Sequence, residues 1–136
     1  MAAVEWKDCF LTGIAEVDLQ HQYFVALINR LGEELTTTSD RHYALRLLME
    51  LEAYARFHFI SEENIIMRYA LPGLEHHQSL HHQLLDRLSV QVVQIKTGQE
   101  NPVVLLKFLV DWFTNHTVHE DRTLFQPVTR LPRSSP

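Results

Sequence analysis

The fold is decided by a stretch in the middle of the chain, LLMELEAYARFHFISEENIIMRYALPGLEHHQSLHHQLL, residues 47–85. Apolar residues recur in it at intervals of three and four, as at Leu47, Leu51 and Tyr54, which is the period of an amphipathic helix. The run Leu71-Pro72-Gly73 then interrupts the pattern, because proline and glycine end helices. The stretch therefore predicts two helices joined by a short turn.

The same period extends in both directions and predicts two further helices. The four predicted helices run from near Asp18 to Leu35, from after Asp40 to about Tyr69, from Leu74 to about Thr97, and from Asn101-Pro102 onward. No clean period-two run bounded by turn residues predicts a strand. Helices of this length with short loops predict an all-α, antiparallel up-down-up-down four-helix bundle.

The predicted domain has three parts. Residues 1–17 form an N-terminal arm whose Trp6, Phe10 and Ile14 are expected to pack on the bundle. Residues 18–126 form the bundle itself. Residues 127–136 contain three prolines and are predicted to be a non-helical tail. Asp18 is expected to cap the first helix. Orientation of an imidazole is the functional role considered for Gln20, and its role is left open.

Composition narrows the class of protein. The 136 residues carry 12 Lys+Arg against 17 Asp+Glu, and a net charge of −5 argues against a nucleic-acid binder that works by phosphate neutralisation. The lone Cys9 excludes an internal disulfide framework. The sequence contains no apolar run of 18 residues, so a membrane span is not predicted. The N-terminus has no signal-peptide pattern, and a cytoplasmic location is therefore expected.

Histidine is the unusual residue, with nine in the chain. Helical spacing places five of them on the apolar stripes, and Glu62 follows His58 by four on the same stripe. A bundle core offers few hydrogen-bond partners, because the backbone groups are used within the helices. Buried imidazoles and a carboxylate on facing helices are therefore typical of a metal site. The five inward histidines are His21, His58, His77, His81 and His116.

A second carboxylate is left open by the spacing. Glu120 follows His116 by four and shares its face on a regular helix, whereas Asp121 follows by five and points about 140° away. Regular geometry prefers Glu120. A local π-turn would bring Asp121 round instead. The remaining histidines have duller interpretations: His42 as solvated, His76 and His82 as pointing outward, and His119 as a rim residue or a donor to a ligand.

Four motifs resemble those of the hemerythrin family, specifically the bacterial single-domain members. They are Gly13-Ile14-x-x-Val17-Asp18-x-Gln20-His21, His58-Phe59-x-x-Glu62-Glu63-x-x-x-Met67, His77-x-x-x-His81 and Trp112-x-x-x-His116-x-x-x-x-Asp121. The resemblance spans about Trp6 to Phe125. It implies two iron ions bridged by oxo or hydroxo, with His77, His81 and His116 on one iron. It further implies His21 and His58 on the other iron, with Glu62 and Asp121 bridging both.

The resemblance also implies reversible binding of dioxygen. The iron with two histidines has one open position, where dioxygen would bind as hydroperoxide. A dry pocket would protect that state from oxidation. The expected pocket walls are Phe24, Trp112, Phe113 and Thr117, although Thr117 stands where the family commonly has an apolar residue, usually isoleucine.

Three functions follow from this interpretation. An oxygen carrier, storage or delivery protein ranks first, and the chain is then not an enzyme. A sensor of oxygen or redox state, acting through an oxygen-consuming or signalling partner protein, ranks second. A di-iron oxidase, peroxidase or nitric-oxide-handling enzyme ranks third, because a histidine-rich ligand set favours reversible binding over oxidation chemistry.

Overall fold

The computed structural model describes residues 4–99 and 102–129, and these form an antiparallel helical bundle, as predicted. Within them no strand occurs, and none of the helices is long and apolar enough to cross a membrane. A 3₁₀ turn at Asp8–Phe10 precedes α1 (Ala15–Thr37), α2 (Arg41–Arg68), α3 (Leu74–Thr97) and α4 (Pro102–His116). A π-helical segment (Thr117–Asp121) then joins α4 to α5 (Arg122–Thr129).

Local signals in the sequence set two of the helix ends. The Asp40 side chain accepts hydrogen bonds from the backbone N–H groups of His42 and Tyr43 at 3.0 and 3.2 Å and caps α2. Gly98 ends α3 in the left-handed conformation, at φ 76°, which a residue with a side chain adopts only with strain. The predicted capping role of Asn101 lies outside the described residues.

The start of α1 differs from the prediction. The helix begins at Ala15, so Asp18 lies inside it and is not its N-cap. Its carboxylate instead accepts hydrogen bonds from the backbone N–H and hydroxyl of Thr12, at 2.7 and 2.8 Å, and from the N–H of Gly13 at 3.1 Å. Asp18 therefore ties the N-terminal arm to the helix.

The C-terminal boundary also differs. Pro127 was expected to begin a non-helical tail, but it lies inside α5, which continues to Thr129. The carbonyl that a regular helix would pair with the missing N–H of Pro127 belongs to Thr123, which is exposed to solvent. Pro132 and Pro136 lie outside the described residues.

The four long helices pack around a central core, and the N-terminal arm covers one side of it. Helix α2 packs against α1 and α3, and α1 also packs against α4. The arm closes one side: Phe10 is 1% exposed, and its ring lies 5.3 Å from Trp6 and 5.5 Å from Phe113 in edge-on contacts. The N-terminal turn is thus packed against residues that surround the buried histidines.

Candidate metal centre

Seven polar side chains meet in the apolar core, and every helix up to the π segment contributes at least one. All are at most 6% exposed. Their potential ligand atoms form two groups, in each of which the atoms lie within 4.8 Å of one another. The seven are His21 on α1, His58 and Glu62 on α2, His77 and His81 on α3, His116 on α4 and Asp121 in the π segment.

The carboxylate of Glu62 faces histidines on two sides. Its Oε1 lies 2.5 Å from Nε2 of His77 and 3.2 Å from Nε2 of His81. Its Oε2 lies 3.3 Å from Nε2 of His58 and 3.5 Å from Nε2 of His21. Each oxygen of this one carboxylate therefore belongs to a different histidine set.

Asp121 divides its oxygens in the same way. Its Oδ1 lies 2.7 Å from Nε2 of His77 and 3.0 Å from Nε2 of His116, and its Oδ2 lies 3.1 Å from Nε2 of His21. The result is one set of five potential donor atoms that includes three histidines, and one set of four that includes two. We call these the three-histidine position and the two-histidine position.

The π segment explains why Asp121, and not Glu120, reaches the centre. Between Thr117 and Asp121 the helix is a π-helix, in which the backbone hydrogen bonds join residues five positions apart instead of four. The side chain five positions after His116 therefore returns to the same face. Asp121 is 1% exposed. Glu120 points outward and lies 3.4 Å from Nε2 of His76 at the surface. The expectation from regular helix geometry, which preferred Glu120, is wrong.

Unpaired polar atoms show that the cluster fits a bound cation. The buried atoms without a hydrogen-bond partner include Oε2 of Glu62, Oδ2 of Asp121, and Nε2 of His81 and His116. Buried groups of this kind are costly unless something satisfies them. Imidazole nitrogens and carboxylate oxygens together are ligands for iron, zinc, manganese or cobalt, and a cation held between them would use these lone pairs.

The electrostatics of the metal-free centre agree with a cation site. Burial lowers the pKa of His21 and of His77, but the adjacent Asp121 and Glu62 carboxylates outweigh it and raise these pKa values to about 9 and about 10. Burial lowers the pKa of His58 below its usual value. Without a metal, protons on imidazoles thus supply the positive charge that the two carboxylates need.

The carboxylates shift in the opposite direction. Burial raises the pKa of Glu62, but the four adjacent histidines outweigh it and hold this pKa well below its usual value. Burial and the charge of Glu62 raise the pKa of Asp121, yet His116 and His21 bring its net value below the usual range. Both carboxylates therefore stay ionised and ready to act as ligands.

Two polar residues outside the seven hold ligand imidazoles in place. Nδ1 of His58 lies 2.8 Å from Oε1 of Gln20, and Nδ1 of His81 lies 2.8 Å from Oε2 of Glu63. Gln20 was left open by the sequence, and Glu63 was not singled out. The sequence signal for Glu63 was its position next to Glu62 in the second motif. Helix α2 directs the Glu63 side chain towards α3, where it meets His81.

The residues expected to wall an oxygen pocket are divided between the two sides. Phe24 and Phe113 lie 5.8 Å from His58 and 5.6 Å from His21 respectively, beside the two-histidine position. Trp112 stacks on His116 at 4.4 Å, on the other side of the centre. Thr117 is buried in the π segment at 1% exposure.

The other histidines lie outside the cluster. His42, His76, His82 and His119 are all exposed. His119 lies with Glu120 on an open surface cavity of about 500 Å³ between α3 and α4, whose lining also includes His116 and Trp112. This cavity does not coincide with the two-histidine position.

The bundle and its buried histidine and carboxylate cluster define a metal-binding four-helix-bundle protein. The family described as the Hemerythrin HHE cation binding domain matches residues 12–128, and the chain belongs to this family. It is 28% identical over 123 residues to a bacteriohemerythrin of Clostridium acetobutylicum, covering 86% of this chain and 95% of that protein. It is 29% identical to a bacteriohemerythrin of Pseudomonas aeruginosa over 89% of this chain and 78% of that protein.

Solved structures agree on the fold. A crystal structure of a leucine-to-alanine variant of hemerythrin superimposes with a TM-score of 0.85 at 24% identity, covering 96% of this chain and all of that one. Wild-type hemerythrin superimposes with a TM-score of 0.80 at 23% identity, covering 88% of this chain and 93% of that one. The bundle of this chain is therefore the hemerythrin bundle.

Proposed function

We propose that the chain holds two iron ions at the seven-residue centre and binds dioxygen reversibly at the two-histidine position. Members of its family bind iron and oxygen and are not enzymes, which agrees with the non-enzymatic prediction. The supporting observation is the division of the potential ligand atoms into a set of five and a set of four, with one oxygen of each carboxylate in each set. The smaller set leaves room for an exogenous ligand.

The assignment of ligands follows the distances. His77, His81 and His116 would hold one iron and His21 and His58 the other, and Glu62 and Asp121 would each give one oxygen to each iron. When bound, a pair of ferrous ions supplies the two electrons that reversible dioxygen binding needs. The chain contributes the fixed geometry: each Nε2 faces inward, and the centre is closed to solvent.

Aromatic side chains keep water from the two-histidine position. Phe24 is 2% exposed and packs edge-on against Phe113 at 5.5 Å and against Tyr54 at 5.4 Å. These rings offer no hydrogen-bond donor to a bound ligand apart from the Tyr54 hydroxyl, which is already donated to the carbonyl of Gln20 at 2.6 Å. A dry, apolar surround favours release of the ligand unchanged over loss of oxidised products.

A count of the bound metal, combined with the absorption spectrum, tests this function. Reduced protein is measured before exposure to oxygen, during exposure and after removal of oxygen. Two irons per chain and a coloured adduct that bleaches on deoxygenation are expected. One iron, or irreversible oxidation of both irons, contradicts the proposal. His58→Ala is expected to abolish the stable adduct, whereas the exposed His82→Ala serves as a matched control that keeps it.

A sensor function is the second candidate, and the packing of the arm favours it. Phe10 of the arm contacts Phe113, and Phe113 in turn lies 5.6 Å from His21. A change at the two-histidine position would therefore reach the arm through two aromatic rings, and the arm could pass it to a partner protein. Faster hydrogen exchange at residues 8–14 in one ligand state is expected for a sensor and not for a carrier.

We propose a cytoplasmic location for the protein. Fractionation of cells that express the full chain, with detection by antibody, checks the assignment. Recovery from a periplasmic or membrane fraction would contradict it.

A further inference from the structure

Two of the inward imidazoles are held by chemically different partners. The Nδ1 of His58, at the two-histidine position, meets the neutral amide of Gln20 at 2.8 Å. The Nδ1 of His81, at the three-histidine position, meets the carboxylate of Glu63 at the same distance. Both contacts leave Nε2 facing the centre, but only one of them carries a negative charge.

The Gln20 amide is oriented by its own contacts. Its Nε2 donates to the hydroxyl of Ser61 at 2.9 Å, which turns Oε1 towards His58. The Tyr54 hydroxyl fixes the backbone of Gln20 by donating to its carbonyl at 2.6 Å. An amide nevertheless carries both donors and an acceptor, so it can rotate and serve either tautomer of the imidazole.

Glu63 is more restrictive. Its Oε1 accepts a hydrogen bond from Nε2 of Gln78 at 3.2 Å, and its side chain is 19% exposed. An ionised carboxylate has no hydrogen to donate, so it holds His81 in the form with the proton on Nδ1 and the lone pair on Nε2. A hydrogen bond to a carboxylate is also stronger than one to an amide, and it makes the imidazole a better electron donor.

We propose that Gln20 and Glu63 are positioning residues that make the two metal positions unequal in affinity. Glu63 makes the three-histidine position the tighter one, which fills first, and the neutral Gln20 keeps the two-histidine position weaker. The proposal rests on the seven-residue centre of the proposed function. Nothing in it depends on iron or on dioxygen.

Cobalt(II) titration of the metal-free full-length protein tests the order of filling. The visible absorption of cobalt reports binding, and two binding steps are expected. In His58→Ala the step of lower affinity should be missing. Glu63→Gln is expected to weaken the first step by about 10–100-fold, the usual effect of losing a partner of a metal-bound histidine. Gln20→Glu is expected to tighten the second step by a comparable factor.

Matched controls separate positioning from charge and from folding. Gln22→Glu and Glu33→Gln make the same chemical changes at exposed positions and should leave both steps unchanged. Circular dichroism of the metal-free variants checks that each is folded. The double variant Gln20→Glu/Glu63→Gln, which exchanges the two partners, is expected to reverse the order of filling. It replaces the single variants as the test if one of them does not fold.

Two results would overturn the proposal: affinities in Glu63→Gln and Gln20→Glu within twofold of the wild type, or an equal change of both steps in each variant. The second pattern would indicate a purely structural role. Failure here differs from failure of the proposed function. An iron-loaded wild type without a reversible oxygen adduct, but with ordered cobalt steps, would contradict only the oxygen assignment.

Discussion

Oδ1 of Asp121 lies 3.0 Å from Nε2 of His116, although the two residues are five positions apart on one continuous helical rod. A regular α-helix would turn them about 140° apart. The π segment at Thr117–Asp121 removes this difference. The second carboxylate of the centre thus depends on a local departure from regular helix geometry.

Neutralising the two adjacent carboxylates should have unequal effects. Asp121→Asn replaces one carboxylate oxygen by an amide nitrogen and removes the negative charge that both positions would share, so we expect metal affinity at each to fall by at least about tenfold, as for other groups that support a metal. Glu120→Gln, whose side chain points to His76 at the surface, should bind as the wild type does. Metal content after dialysis against a chelator measures both. Equal losses in the two variants would contradict the placement of Asp121.

Metal affinity should rise with pH. The carboxylates raise the pKa of His21 to about 9 and that of His77 to about 10, so both imidazoles are protonated in the metal-free protein near neutrality. A metal needs their lone pairs and must expel one proton at each position. The logarithm of each binding constant should therefore increase by about one per pH unit between about pH 6.5 and 8.5. Zinc competition at several pH values measures this slope, and a flat profile would refute it.

The same shifts bear on the stability of the metal-free fold. Because the folded-state pKa values of His21 and His77 are raised, their contribution is complete below the unfolded value of about 6.5. It is lost as pH rises towards 9 and 10. Urea unfolding of the metal-free protein should show a lower free energy at pH 9 than at pH 6.5. A higher value at pH 9 would mean that these histidines are neutral in the fold.

Thr117 places a hydroxyl in the buried π segment next to His116. Thr117→Val keeps the shape and removes the hydroxyl, so less water should be admitted near the centre. We expect spontaneous oxidation of the oxygen-loaded protein to slow by roughly threefold or more, which corresponds to about 0.6 kcal/mol in the barrier. Decay of the adduct absorption measures the rate. The exposed Thr123→Val is the matched control, and an unchanged rate in Thr117→Val would show that the hydroxyl is silent.

The arm should contribute to stability through Phe10. Truncation to alanine removes a fully buried ring that contacts Trp6 and Phe113, so Phe10→Ala should lower the free energy of unfolding by about 3–5 kcal/mol. Phe57→Ala, at a position 56% exposed, should change it by less than about 0.5 kcal/mol. Urea denaturation of both variants gives the comparison. Equal effects would show that the arm does not pack in solution.

Much of the fold could be predicted from the sequence because its causes are local. The helices follow the recurrence of apolar residues at three and four, and the ends of α2 and α3 follow from Asp40 and Gly98. Helical spacing alone also predicts that five histidines and Glu62 face the core. Glu63 could not be found this way, because its contact with His81 joins residues 18 positions apart on two helices.

The sequence by itself determined the all-α bundle and the inward direction of the histidines, since both depend on the period of a single helix. Only the tertiary structure decided that Asp121 and not Glu120 reaches the core, and that Gln20 and Glu63 hold the imidazoles of different positions. It also decided that Asp18 ties down the arm and that α5 continues through Pro127. These outcomes depend on which side chains neighbouring helices bring within hydrogen-bond distance, and a periodic pattern along one helix carries no record of that.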